Sequence, residues 1–244
     1  MLRLLSSLPT GSVLPVQGPS GVTLAALAFY QGFRLSKRTN VYIDGFNLYY
    51  RALKSTPYKW LNLRLLVEQI LDSSNDVAHI KYYTAMVSGH VDHDQPKRQQ
   101  IYLNALSTIR GFSVYKGNFL SKVAKRPLVK PLQDGTRYVE VREFEEKGSD
   151  VNLAVHLVND GWKDEFDVAV VISKDTDLVE PIRIVSKELK KPVGIICPDN
   201  SLPPPLGAAV SFRRYIRNQH LRAAQFPDPI ILPDGTIIAK PTSW

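Results

Sequence analysis

The stretch NVYIDGFN, residues 40–47, decides the fold class of this chain. Its apolar centre is typical of a buried strand, and the strand ends in Asp44. A second run, VAVVISKDTD at 168–177, repeats the pattern and ends in Asp175 and Asp177. Sites in open α/β sheets form outside the carboxyl ends of strands. We therefore expect carboxylates from these two distant segments to share one pocket.

Strand and helix patterns alternate after Arg38, which predicts an α/β fold with a mainly parallel central sheet flanked by helices. The predicted strands are 40–44, 79–87, 112–119, 167–173 and 192–197, and the predicted helices are 63–72, 95–110, 150–160 and 177–190. Residues 120–146 interrupt the alternation, and Asp134-Gly135 between β-prone segments predicts a β-hairpin excursion there. Gly161 is expected to cap the helix before it.

The two ends of the chain differ from the middle. Residues 1–37 contain no acidic residue and are rich in Leu, Ser, Pro and Gly. Their apolar stretch is too short to cross a bilayer, so a disordered or weakly ordered leader is favoured over a targeting signal. We expect the folded domain to span 38–200 and residues 201–244 to form a basic, Pro-rich C-terminal appendage.

Charge points to a polyanionic partner. The 244 residues have a net charge of +8 and a pI near 9.5, and 44% of them are hydrophobic, as in ordinary globular proteins. Basic residues without acids are concentrated at 116–130 and 211–222. These strips are candidates for binding a phosphate backbone, although solvated faces explain them equally well. Their candidate phosphate-binding residues are Lys122, Lys125, Arg126, Arg213, Arg214 and Arg217.

Cysteine content limits the chemistry. Cys197 is the only cysteine, which excludes an internal disulfide and a thiolate-rich zinc site. It follows an apolar run and is expected to be buried. A reducing cytoplasm is the compartment that this composition favours.

The aspartates each have an ordinary local explanation. Asp44 could form a turn with its glycine, Asp150 could cap a helix, and Asp175 with Asp177 could form a turn and cap. Together they predict something else, because crowded carboxylates repel one another unless a cation neutralises them. Oxygen ligands suit Mg²⁺ or Mn²⁺, and Asn47 and Ser173 could add neutral oxygens.

Three segments carry a family resemblance. VYIDGFNLYY (41–50), KGSDVNLAVHLV (147–158) and VAVVISKDTDLVEPI (168–182) resemble, in order and spacing, the motifs of the NYN domain, a branch of the PIN-like nuclease superfamily. The resemblance covers about 38–200 and implies a Rossmann-like PIN fold with metal-dependent cleavage of RNA. Lys174 departs from the pattern, since the family usually has glycine there.

The resemblance implies roles for individual residues. Asp44 and Asp175 would be the principal metal ligands, and Asp150 and Asp177 would bind the metal directly or through water. Asn47 would orient groups or contact substrate. Further candidates, for metal or phosphate contact, are Ser173, Ser149, Lys147, Lys174, Lys97 and Arg98.

Other sites have weaker support. His90, Asp92, His93 and Asp94 could bind a transition metal, but such a loop is more often a solvated turn. Four aromatic residues after the first motif could stack on bases, although packing against the sheet is expected for at least half of them. They are Tyr49, Tyr50, Tyr58 and Trp60. Gly45 has no G-x-G-x-x-G around it, so a dinucleotide site is unsupported.

The leading hypothesis is a metal-dependent endoribonuclease acting on single-stranded or loop RNA. A non-catalytic RNA-binding protein of the same fold is the second hypothesis, kept open by Lys174. A metal-dependent phosphatase for a small substrate is the third, and the basic strips argue against it. RNA is the expected partner, no membrane association is expected, and a homo-oligomer is one possible state. The RNA target cannot be deduced from the sequence.

Overall fold

The computed structural model of this chain describes residues 36–89 and 92–244. All but the last two residues of the predicted leader therefore lie outside the described residues, and so does His90. Within the described ranges, no helix has the length and apolar character needed to cross a membrane.

A seven-stranded sheet forms the centre of the fold, in the order β4-β3-β2-β1-β5-β6-β7. All neighbouring strands are parallel except β3 and β4. The α/β prediction and its parallel sheet are thus confirmed. The strands are β1 Lys37–Asp44, β2 Asn75–Ala85, β3 Phe112–Pro127, β4 Tyr138–Lys147, β5 Val168–Ile172, β6 Val193–Cys197 and β7 Phe212–Tyr215. A separate pair follows, with β8 Ile230–Ile231 and β9 Ile237–Ile238.

Helices cover both faces of the sheet. They are α1 Gly45–Leu48, α2 Leu63–Ile70, α3 Gln95–Ser107, α4 Ser149–Trp162, α5 Val179–Arg183, α6 Pro204–Ala209 and α7 Asn218–Ala223. A π-helical turn at Tyr49–Leu53 follows α1. A 3₁₀-helical turn at Thr176–Leu178 precedes α5, and a π-helical turn at Ile184–Glu188 follows it. Successive side chains of a strand point to opposite faces of the sheet, so they pack into different cores. Val41 and Ile43 pack with α2 and α3, whereas Tyr42 packs with α4 and α5. Cys197 is buried and free, as predicted.

Helix α4 differs from its prediction at both ends. It begins after Gly148, whose φ of 97° favours glycine, so Asp150 lies in the first turn and is not the cap. Gly161 lies inside the helix, and the prediction that it caps the helix was wrong. A Cβ on Gly161 would lie 3.1 Å from a Leu189 methyl carbon, so glycine serves close packing there.

The predicted hairpin excursion is present. Strand β3 continues to Pro127 because β4 pairs with it from Asn118 onward, and residues 118–147 form what we call the arm. The turn contains Asp134, whose carboxylate accepts the Thr136 amide at 2.9 Å, and Gly135 at a φ of 85°.

The C-terminal segment is more integrated than expected. Strand β7 pairs in parallel with β6, so part of the predicted appendage belongs to the main sheet. The Trp60 indole donates to the Pro227 carbonyl at 3.0 Å, and Phe226 is buried in the core. These long-range contacts, and not the local proline content, decide where the segment lies.

Candidate active site

Asp44 lies at the carboxyl end of β1 and is 4% exposed. Its carboxylate accepts the Asn47 amide at 2.9 Å and the Ser173 hydroxyl at 2.9 Å. Burial raises the pKa of Asp44, while these two hydrogen bonds stabilise the charged form. The aspartate is therefore both a helix cap and a buried acid at the sheet edge.

The first and third motifs are joined by hydrogen bonds. The Asn47 side-chain oxygen accepts the Lys174 amide at 3.1 Å, and Ser173 both donates to Asp44 and accepts the Asp175 amide at 3.0 Å. Asp175 in turn accepts the Asp177 amide at 2.9 Å. Asn47 and Ser173 thus act as positioning residues that hold the carboxylates at one edge.

Asp150 completes the grouping from α4. Burial raises its pKa to about 6, and the charges of Asp44, Asp175, Glu146 and Asp177 add to the shift in that order. Carboxylates interact in this way only when they are close together. The structure therefore brings all four predicted aspartates into one acidic cluster, drawn from three separate segments of the chain.

Glu146 is a further member that the motif pattern missed. It lies near the end of β4, accepts the Ser149 amide at 2.9 Å, and raises the pKa of both Asp44 and Asp150. In the sequence it stands out only as the acid four residues before Asp150. The pairing of β4 with β3 is what brings it to the sheet edge.

The cluster fits a hard divalent cation by its chemistry. Its donors are carboxylate oxygens, and the buried Ser149 hydroxyl beside Asp150 has no hydrogen-bond partner among the residues that the structure describes. Across residues 36–89 and 92–244, no three His, Cys, Asp or Glu side chains are already arranged as metal ligands. Ligation of one ion would thus require the carboxylates, which repel one another in its absence, to move closer together.

Lys174 does not neutralise the cluster. Its ammonium donates hydrogen bonds to both carboxylate oxygens of Asp199 at 3.0 Å and to the Ser201 hydroxyl. The side chain is 16% exposed, so it is held in this ion pair. The unusual residue is therefore directed to Asp199.

The predicted basic residues fall into separate places. Lys122, Lys125 and Arg126 lie on the arm, at the β4 side of the sheet. Arg213 and Arg214 are exposed on β7, at the opposite edge, and Arg217 follows them. Lys147 ends β4, and Lys97 is exposed in the first turn of α3. The structure does not bring the two strips together.

A cavity of about 430 Å³ adjoins the acidic cluster through Gly45, the residue after Asp44. Tyr49 and Tyr50 line it, whereas Tyr58 and Trp60 pack against or within the core, so the packing expected for half of these aromatic residues is confirmed. Arg98 also lines it and forms an ion pair with Asp92. The other lining residues are Phe46, Leu53, Lys54, Lys59, Tyr82, Thr84, Val87, Gln95, Gln99, Tyr102 and Trp244.

These features define an α/β protein with a carboxylate site at the C-terminal edge of a parallel sheet. Residues 38–216 match the family model for the NYN domain, and the chain belongs to that family. The family relation makes nuclease activity the first expectation.

Two known proteins are similar to this chain. One is 6-hydroxy-3-succinoylpyridine 3-monooxygenase HspA of Pseudomonas putida, which is 30% identical, with 85% of this chain and 75% of that protein covered. The other is a crystal structure of a protein of unknown function from Vibrio parahaemolyticus. That match has a TM-score of 0.47 and 16% identity, and it covers 75% of this chain and 94% of the other.

Proposed function

We propose that this chain is a divalent-metal-dependent endoribonuclease that hydrolyses phosphodiester bonds in single-stranded or loop RNA. The observation that carries the proposal is the clustering of Asp44, Asp150, Asp175, Asp177 and Glu146, whose charges add to the effect of burial in raising the pKa of Asp150 to about 6. Such crowding is unfavourable without a cation, and it is retained at functional sites.

The carboxylates would hold Mg²⁺ or Mn²⁺ with Asp44 and Asp175 as principal ligands. Asp150, Asp177 and Glu146 would bind directly or through water. When bound, the ion supplies an activated water and neutralises charge on the phosphate oxygens. Asn47 and Ser173 keep the first and third motifs in register, and the arm offers cations to the RNA backbone.

A cleavage assay tests the proposal. Labelled single-stranded RNA is incubated with Mn²⁺ or Mg²⁺, with and without chelator, using wild type and Asp175→Asn. We expect cleavage that chelator abolishes and that the variant lowers by about 100-fold or more, because a ligand oxygen charge is lost. Asp76→Asn is the matched control, since Asp76 is exposed at the opposite end of the strands.

Other outcomes separate the alternatives. Equal cleavage by Asp175→Asn would exclude the proposed site. Tight RNA binding without metal-dependent cleavage would favour the non-catalytic hypothesis, and hydrolysis restricted to small phosphate esters would favour the phosphatase.

A second candidate function comes from the similarity to the monooxygenase. The chain matches 75% of that protein's length, and the partly open cavity beside Asp44 has a size suited to a small aromatic compound. The test is oxygen consumption in the presence of 6-hydroxy-3-succinoylpyridine and a reduced nicotinamide or flavin donor. Substrate-dependent oxygen uptake, together with no RNA cleavage in the first assay, would support this function over the ribonuclease.

A further inference from the structure

We propose that the cavity beside Asp44 is a binding site for a planar aromatic ring that carries an anionic group. This inference goes beyond the cleavage chemistry, because it assigns a ligand class to a part of the molecule that the acidic cluster does not include. The cavity is bounded by the turn Tyr49–Leu53, strand β2, helix α3 and Trp244.

Aromatic rings make the cavity suitable for a flat ligand. Phe46 and Tyr50 stack with centroids 6.4 Å apart, and Tyr49 packs edge-on against Tyr50 at 5.3 Å. On the other wall, Tyr102 and Trp244 are 5.7 Å apart. Rings in these arrangements bind other rings by stacking and edge contacts.

Positive charge lines the same space. Lys54, Lys59 and Arg98 line it, and Asp92, which pairs with Arg98, is the one acidic side chain among its described lining residues. The Lys59 ammonium donates one of its three hydrogens to the Thr56 carbonyl at 2.9 Å. The Lys54 ammonium lies 4.9 Å from the Tyr50 ring centroid. Neither lysine is ion-paired with any residue in the described part of the chain. Two cations are thus available for a carboxylate or phosphate.

Tyr82 adds a polar group to the same space. It is 7% exposed and lines the cavity, and a Cβ on Gly45 would lie 2.6 Å from its hydroxyl oxygen. Among residues 36–89 and 92–244, that hydroxyl has no hydrogen-bond partner, unlike Tyr102, which donates to the Leu61 carbonyl. Because the hydroxyl oxygen is not fully buried, it is open to the cavity and available to hydrogen-bond a ligand there.

Four probes test the ligand class by isothermal titration calorimetry. Nicotinate and 5′-AMP have both a ring and an anion, nicotinamide has the ring without the anion, and ribose 5-phosphate has the anion without the ring. We expect a probe with both a ring and an anion to bind about tenfold tighter than a probe with one of them. A probe with one feature lacks either the ring contact or the charge contact. Preference for 5′-AMP would assign a nucleotide unit of RNA, and preference for nicotinate a free small acid.

Variants locate the binding. Tyr82→Phe preserves shape and removes the hydroxyl, so we expect about tenfold weaker binding with an unchanged melting temperature. Lys59→Gln should weaken only the anionic probes. The matched control is Tyr138→Phe on the arm, where the ring is 53% exposed, and it should bind like wild type.

The result that would overturn the proposal is equal affinity for all four probes, or unchanged binding in both Tyr82→Phe and Lys59→Gln. Asp175→Asn separates this site from the cleavage chemistry. It should lose RNA cleavage and keep probe binding, so failure of either proposal is visible without the other.

Discussion

The acidic cluster and the neighbouring cavity occupy the same edge of the sheet but are built on opposite principles. The cluster gathers carboxylates, and burial together with their mutual charge raises the pKa of Asp44 and Asp150. The cavity gathers aromatic rings and cations, with Asp92 as the one acidic side chain among its described lining residues. Gly45, which directly follows Asp44, lies against Tyr82, and both line the cavity.

The difference teaches how each region is made stable. The cluster is held by backbone amides and the Ser173 hydroxyl, which offset part of the repulsion, and it needs a cation for the rest. The cavity is held by ring packing that is favourable without any ligand. Adding an ion should therefore change the first region, and adding an aromatic acid the second.

Gly45→Ala should damage both regions and gives the largest stability effect. A Cβ there would lie 2.6 Å from the Tyr82 ring and 2.7 Å from the Tyr83 carbonyl oxygen, which cannot move away cheaply. We expect a loss of about 1–3 kcal/mol in urea unfolding, with weaker probe binding and at least about tenfold slower cleavage. Gly207→Ala is the control, because its Cβ would meet only Leu202 at 3.5 Å. Loss of one function alone would show that the two regions are not linked through Gly45.

Asp150→Asn should stabilise the metal-free protein. The pKa of Asp150 is raised to about 6, so its ionisation opposes folding above that pH and costs little below about pH 4. After allowance for solvent screening, we expect a gain of about 1 kcal/mol at pH 7.5 that disappears as pH falls from 6 to 4.

The same variant should respond less to metal. Mn²⁺ should raise the melting temperature of wild type more than that of Asp150→Asn, and the wild-type response should fade below about pH 6 as Asp150 takes up a proton. The check is thermal unfolding with and without Mn²⁺ across that pH range. A variant less stable than wild type at pH 7.5 would contradict the proposed repulsion.

Lys125→Ala should weaken RNA binding without affecting the cavity. Lys125 lies on the arm with its ammonium 5.5 Å from the Tyr138 ring centroid. Loss of one phosphate contact should lower RNA affinity about two- to fourfold. It should also reduce the slope of log affinity against log salt concentration by about one. Lys163→Ala, just past the far end of α4 from Asp150, is the matched control. An unchanged salt dependence would remove the arm from the RNA-binding surface.

Lys174→Gly should have the smallest effect on activity. The ammonium is bound to Asp199, so we expect cleavage within about threefold of wild type and a stability loss of about 1 kcal/mol. Lys174→Gln separates loss of the ion pair from the flexibility that glycine adds. A tenfold or greater gain in cleavage would show instead that the lysine restrains the cluster.

Much of the fold could be predicted from local pattern. Apolar runs predict the strands around Val41 and Val170, and apolar residues at helical spacing predict the helix at Leu63–Ile70. These patterns are local, because each one lies within a single element. The ends were less predictable. Gly161 lies inside a helix, where a Cβ would crowd Leu189, and β7 is a strand because it pairs with β6.

The sequence by itself determined that acids would end buried strands, because strand polarity and residue order place Asp44, Asp175 and Asp177 at one edge. Only the tertiary structure decided that Glu146 joins them and that Lys174 turns to Asp199. It alone also assembled the cavity, whose walls run from Gly45 to Trp244. The physical reason is that charge repulsion, ion pairing and cavity shape depend on distances between segments, and local patterns do not contain those distances.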